Sequence, residues 1–218
     1  MGRLIYVTNM SLDGYIEDEH GSFDFGPPAD DVFASTVELL ESVGTFLYGR
    51  RLYEAMAVWE TDPTLAAQSE PFADFAAAWS AADKVVYSTT LATVATGATR
   101  LERRFDPAAV RELKARTRRD LMVGGADLAA EALRAGLVDE CLLYVWPAFV
   151  GGGKPALPLG IRRDLELAGV DQYGNGVLRP RYRVRHPSTG RDLRLALGDV
   201  AGRDDELEAD IATAVDPE

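Results

Sequence analysis

The chain has one cysteine, two histidines and no long apolar run, and each scarcity closes off a class of function. A single thiol, Cys141, forms no intramolecular disulfide, and its place in the apolar stretch 138–146 predicts a buried, inert group. His20 and His186 have no partner spacing that would build a zinc site or a hydrolytic triad. No stretch approaches the ~20 apolar residues of a membrane span. The start, MGRLIYVTNM, lacks the apolar core of a secretory signal, so a cytoplasmic protein is expected. Positive charge is also scarce. There are 23 Lys and Arg against 35 Asp and Glu, and the net charge of −12 argues against a general nucleic-acid surface. Half of that surplus sits in Arg203–Glu218, where seven carboxylates accompany one arginine. An acidic, solvated tail is therefore expected over 187–218, after a domain at 1–186.

What the chain does have is an alternation of strand and helix patterns, set by 218 residues of which 47% are hydrophobic. The most informative stretch runs from Asp120 to Gly153. Leu121, Met122 and Val123 stop at the pair Gly124-Gly125, and a helical pattern follows with Ala129, Leu133 and Leu137 on one face. Gly136 stands where that helix needs a stop, and Val138–Trp146 reads as a long strand. Strand, Gly-Gly, helix presents unpaired helix N–H groups to an anion, and a missing Cβ lets a phosphate approach the backbone. Tight packing explains such a turn equally well, and Asp127 in the first turn competes with a phosphate for the helix dipole.

Upstream, Leu4–Asn9 predicts a first strand, broken by the Asp-Gly of SLDGYI and resumed at Tyr15 and Ile16. Residues 18–28 are loop chemistry. Pro28 and Ala29 lead into a helix to Glu41, and a short strand covers Thr45–Tyr48. Gly49-Arg50-Arg51 opens a helix through Met56, residues 60–71 read as a loop, and Phe72, Phe75, Ala76 and Trp79 mark the next helix. Lys84–Tyr87 is a strand ending in Ser88, Thr89 and Thr90. Pro107 starts a helix to Arg118. Gly151–Gly153 with Pro155 predicts a mobile turn, and strands at 165–172 and 177–185 around Tyr173-Gly174-Asn175-Gly176 predict a closing hairpin. The fold class is α/β: a mostly parallel central sheet flanked by helices, with an antiparallel C-terminal hairpin. Ligands bind such sheets at the carboxyl ends of strands. Three strand ends there carry arginines, hydroxyls or an open helix start, which suits a dinucleotide with a 2′-phosphate.

YVTNMSLDGYI, FLYGRRLYEAM, KVVYSTT, DLMVGGADLAAEALRAGLVDE and WPAFVGGGKPAL resemble the dihydrofolate reductase superfamily. The nearest likeness is to the reductase domain of the bifunctional riboflavin-biosynthesis deaminase–reductase and its single-domain relatives. The resemblance covers residues 3 to about 185 and implies NADPH as cofactor. It makes Gly49, Arg50 and Arg51 the turn that grips the cofactor phosphates, and Ser88, Thr89 and Thr90 neighbours of the 2′-phosphate. Gly124, Gly125, Ala126, Asp127 and Leu128 become the pyrophosphate loop, whose Gly-Gly bond is often cis in relatives. Leu52 departs from the family, which usually has a phosphate-binding threonine there. Relatives are commonly homodimers, and the strand Cys141–Val150 and the closing hairpin offer edges to cover.

Hydride transfer needs orientation and a proton. The candidate acids are Asp13, at the position the resemblance puts near the substrate, and Asp30, in PPADDVF, which resembles the segment of dihydrofolate reductases that meets the pterin. A turn aspartate and a helix cap explain the two equally well. Trp59 and Trp146 read as core. The resemblance implies an NADPH-dependent reductase of a pyrimidine-type heterocycle, of the kind that reduces ribosylaminouracil phosphate. A dihydrofolate, pterin or other small carbonyl or imine reductase is one alternative. A cofactor-binding protein without turnover is another. No stretch carries the zinc-binding His and Cys residues of a deaminase half, so the bifunctional enzyme is not expected.

Overall fold

Strand-forming residues recur at intervals that leave room for helices. In the computed structural model, residues 1–27 and 29–186 are described. The acidic segment expected over 187–218, and Pro28, lie outside them. The first half contains β1 (Leu4–Ser11), β2 (Tyr15–Glu17), α1 (Asp30–Ser42), β3 (Val43–Gly49), α2 (Arg50–Thr61), α3 (Pro63–Ala66), α4 (Glu70–Ala81) and β4 (Asp83–Tyr87). The second contains β5 (Thr99–Glu102), α5 (Pro107–Arg116), β6 (Asp120–Gly124), α6 (Ala126–Arg134), β7 (Glu140–Trp146), β8 (Lys154–Pro155), β9 (Leu165–Gln172) and β10 (Leu178–Val184). Helices fill the connections β2–β3, β3–β4, β5–β6 and β6–β7.

Eight strands form one sheet in the order β5-β4-β3-β6-β1-β7-β10-β9. It is parallel from β5 to β7, and the β9–β10 hairpin adds to β7 antiparallel. Helices cover both faces, so the inner strands are apolar on both sides. Along β1, Leu4 and Tyr6 pack with Leu121, Val123, Val110 of α5 and Leu128 of α6. Their neighbours Ile5 and Val7 turn the other way, to Val32 and Leu39 of α1 and Leu142 and Tyr144 of β7. Phe46, Tyr48 and Val86 extend that second layer beneath Tyr53 of α2 and Trp79 of α4.

The expected α/β class and closing hairpin are therefore present. Residues 60–71, read as a loop, are mostly helical. Nothing in the α2 sequence interrupts the helix before Pro63, and Ala57 and Trp59 continue its packed face, so it runs on to Thr61. Asp62 then caps α3 through Thr64 N, with Pro63 in the first turn, and Ser69 caps α4 through Phe72 N. Residues 151–155, read as a mobile turn, end in a strand. Lys154 and Pro155 pair with Glu17 and Tyr15 as β8 against β2.

Two outcomes check this core. Leu121 is fully buried, and Leu121→Ala should lower unfolding free energy by roughly 2–5 kcal/mol in urea titration. Cys141 is also buried, and loss of hydration pushes its thiol up to about 12. The folded protein should resist iodoacetamide at neutral pH, whereas the urea-unfolded chain should react at one site per molecule.

Candidate active site

β6 ends sooner than its neighbours. Its last pairings are Val123 with Tyr6 of β1 and Gly124 with Tyr48 of β3, while β1 and β7 continue in register to Ser11 and Trp146. Val7–Ser11, five residues, thus have β7 on one side and, among the described residues, no strand on the other. At the rise of a strand this leaves a notch about 16 Å long at the carboxyl edge of the sheet. Gly49 of β3 pairs with Tyr87 of β4, so the three predicted cofactor turns (49–51, 88–90 and 124–128) lie on adjacent strands along this edge.

Two helices begin at the edge with glycine caps. α2 starts after Gly49 and α6 after Gly125, and neither has a side-chain cap. By contrast α3, α4 and α5 are capped by Asp62, Ser69 and Asp106. The open N–H groups of α2 and α6 are therefore left for an anion. α2 has no acidic residue in its first turn, and Arg50 and Arg51 are exposed there. The α6 start carries Asp127, whose charge the fold offsets with Lys154. The ammonium is 2.6 Å from the carboxylate, arriving from the loop after β7.

The two glycines of the turn differ. A Cβ on Gly124 would lie 2.5 Å from Leu52 Cδ2 and 3.1 Å from Tyr48 Cε1, so this position is set by packing within the protein. Gly125 has φ of +85°, a conformation that favours glycine, and a Cβ there would meet nothing nearer than 4.0 Å. It is the residue that leaves the turn open to a ligand. The Gly124–Gly125 bond is trans, as are all peptide bonds among the described residues. Leu52, where the resemblance leads one to expect threonine, roofs Gly124 and joins the α2–α4 core instead of offering a hydroxyl.

The hydroxyls after β4 divide in the same way. Ser88 is buried, and its Oγ accepts from the N–H of Thr90 (3.2 Å) and Leu91 (2.9 Å), shaping the turn. Thr89 and Thr90 are exposed. Arg103, just past β5, straps the turn by donating to the carbonyls of Ser88 (3.3 Å) and Leu91 (2.6 Å). Arg50, Arg51, Arg103 and Lys154 thus belong to the turns and loops at this edge, beside two helix starts without side-chain caps, a set of groups that fits a dinucleotide's phosphates.

The two candidate acids have different environments. Asp13 ties loops together, accepting from Gly151 N (2.8 Å) and Val150 N (3.2 Å). The Ser11 hydroxyl and these N–H groups hold its carboxyl below the usual range. Asp30 is exposed at the start of α1. The next residue, Asp31, accepts from Gly174 N at 2.9 Å and anchors the β9–β10 turn to α1. Trp146, read as core, is only half-buried. Its indole N–H donates to Asn9 Oδ1 at 2.9 Å, and Gly26 of the loop before α1 lies against its ring. Lys154, Arg103 and Asn9 carry no local signal of a site role. Their relevance comes from loops that meet only in three dimensions.

Comparison with known proteins follows the same outline. The RibD C-terminal domain pattern matches residues 3–179. The chain belongs to that family. A protein of Shewanella sp. PV-4 named for riboflavin biosynthesis shares the fold at a TM-score of 0.63 and 22% identity, over 84% of this chain and 99% of that one. A pyrimidine reductase-like protein of Corynebacterium diphtheriae gives 0.55 and 12%, over 85% and 92%. Among curated proteins, the uncharacterized protein YyaP of Bacillus subtilis is 25% identical over 83% of this chain and 94% of its own. The fold of this family member is the dihydrofolate-reductase-like one.

The Asp13 clamp is testable through its titration. Because the folded carboxyl titrates below its ordinary value of 3.8, the clamp is fully formed above that value and is lost as pH falls through the lower folded one. Asp13→Asn should speed hydrogen exchange at the Val150 and Gly151 amides at neutral pH. Exchange at those amides that is unchanged by the substitution would remove the clamp.

Proposed function

We propose that the protein is an NADPH-dependent reductase of a pyrimidine-type heterocycle, of the kind that acts on a ribosylaminouracil phosphate. The observation that carries this reading is the pair of glycine-capped helix starts on adjacent strands, flanked by Arg50, Arg51 and Lys154. The Gly125 turn and α6 would hold the pyrophosphate, and the Gly49–Arg51 start would take a second phosphate. Thr89, Thr90 and Arg103 stand where the 2′-phosphate would lie. When bound, the dinucleotide supplies a hydride. The protein's part is to hold the heterocycle in the notch beside Val7–Ser11 and to admit one proton.

Asp13 is poorly suited to deliver that proton. Its pKa is lowered and its oxygens already accept N–H groups. Asp30, exposed at the head of α1, is the carboxylate we assign to proton delivery. In single turnover, Asp30→Asn should slow hydride transfer by ~10²–10⁴ with cofactor affinity nearly unchanged. If Asp30→Asn turns over like the parent, water delivers the proton.

Cofactor choice tests the reading most directly. One charged contact to a phosphate contributes roughly 1.5–3 kcal/mol, or tenfold and more in affinity. Calorimetry should give a tighter dissociation constant for NADPH than for NADH, and Arg50→Ala should weaken NADPH far more than NADH. Equal constants for the two cofactors would sink the assignment. Steady NADPH oxidation with a panel of pyrimidines and folates then separates substrates. Binding without turnover would favour a non-catalytic role, toward which the missing hydroxyl at Leu52 points.

A homodimer belongs to the same proposal. All eight residues of β9 are exposed, and Leu165, Leu167 and Val170 on it and Leu178 on β10 form an apolar edge. Light scattering at micromolar concentration should give twice the chain mass, and Leu167→Glu should reduce it to one.

A further inference from the structure

We infer that Asn9 reads the heterocycle, its side-chain NH2 donating to a ring carbonyl, so that rings bearing an amino group at that edge are rejected. This rests on the reductase reading above. On β1, Ile5 and Val7 point into the layer beneath α1, and strand alternation puts Asn9 on the same face. There the cover runs out, and Asn9 is exposed. It lies past the last β6 pairing, inside the notch, and pairs with Tyr144 on the β7 side.

Its orientation is fixed by Trp146. An indole N–H can only donate, so the atom that meets it at 2.9 Å is the amide oxygen. The indole is itself seated. Gly26 leaves only 3.7 Å between a would-be Cβ and the ring, so the loop before α1 packs against it. With Oδ1 engaged, the Nδ2 group keeps both donors and has no hydrogen-bond partner among the described residues. A free carboxamide can offer either end to a ligand; this one offers only its donors. A site built to hydrogen-bond one group rejects an analogue lacking it far better than an apolar pocket does, because the unmatched donor is left without a partner.

The test reverses the polarity of that one group. In Asn9→Asp a carboxylate oxygen still accepts from Trp146, while the donors are replaced by an acceptor. Asn9→Ala removes both. The probes are 6-aminouracil and 2,4,6-triaminopyrimidine, the same ring with its two carbonyls replaced by amines, at a pH where both are neutral. Each is titrated by calorimetry into protein with and without saturating NADPH. The parent should bind 6-aminouracil at least tenfold more tightly than the triamine, Asn9→Asp should invert that order, and Asn9→Ala should lose most of the discrimination. The same preference in parent and Asn9→Asp overturns the assignment. So does a parent that binds NADPH but neither ring, which leaves the reductase reading standing. A parent that does not bind NADPH strikes that reading, and the titrations without cofactor still report on Asn9.

Discussion

The early end of β6 is the constraint on which the rest of the site depends. A parallel strand buried between two others normally continues as far as its partners, because each unpaired backbone group in the interior is costly. β6 stops at Gly124, level with Tyr48 on one side and one residue beyond the Val123–Tyr6 pairing on the other. Its chain then turns through Gly125, at φ +85°, into α6. Any residue with a side chain is strained at Gly125, and at Gly124 it collides with Leu52 and Tyr48. Two adjacent positions are therefore restricted for different reasons, one conformational and one steric. Together they open the sheet along Val7–Ser11, where β1 has β7 on one side and, among the described residues, no strand on the other.

An open edge needs a wall, and the loops after β1 and β7 supply it by binding each other. Leu12 N donates to Ala148 O at 2.8 Å, Ala156 N to Gly14 O at 2.8 Å, and the Tyr6 hydroxyl to Ala156 O at 2.6 Å. Asp13 adds its carboxylate to the amides of Val150 and Gly151. The crossing is so close that a Cβ on Gly153 would lie 2.0 Å from Glu17 O, within the β2–β8 ribbon. This stitching also positions Lys154 against Asp127. Acid at a helix start repels a bound anion, and an ammonium 2.6 Å away returns the local balance toward zero. One set of loop contacts thus shapes the notch and adjusts its charge.

How much of this was legible follows from the range of each signal. Strands such as LIYVTN and KVVY are written in local composition, and the sheet has them where the periodicity puts them. The Gly-Gly turn is equally local. Helix α2 was legible at its start but not at its end, because no glycine or proline marks the stop before Pro63. What escaped was pairing across distance. Lys154 meets Asp127 from 27 residues away, and Trp146 meets Asn9 from 137. Ser88 looked like a ligand hydroxyl, yet its oxygen shapes its own turn, a role that Ser-Thr-Thr after a strand does not distinguish. A resemblance to relatives supplied the site outline. It did not supply the packing of Leu52, which follows from the side chain present.

The charge of the chain raises the remaining physical question, since a protein of net charge −12 is assigned an anionic cofactor. Net charge acts at long range, where salt screens it over ~8–10 Å. Half of it belongs to Arg203–Glu218 at the end of the chain. The sheet's carboxyl edge carries Arg50, Arg51 and the positive ends of α2 and α6, each end equivalent to about half an elementary charge, while Lys154 offsets Asp127. These contributions are positive although the total is negative. Under the proposed function, recognition of a phosphate by this edge would therefore rest on directed N–H and guanidinium groups at contact range, with little help from long-range attraction. Affinity gained this way falls less steeply with ionic strength than affinity gained through a diffuse positive surface.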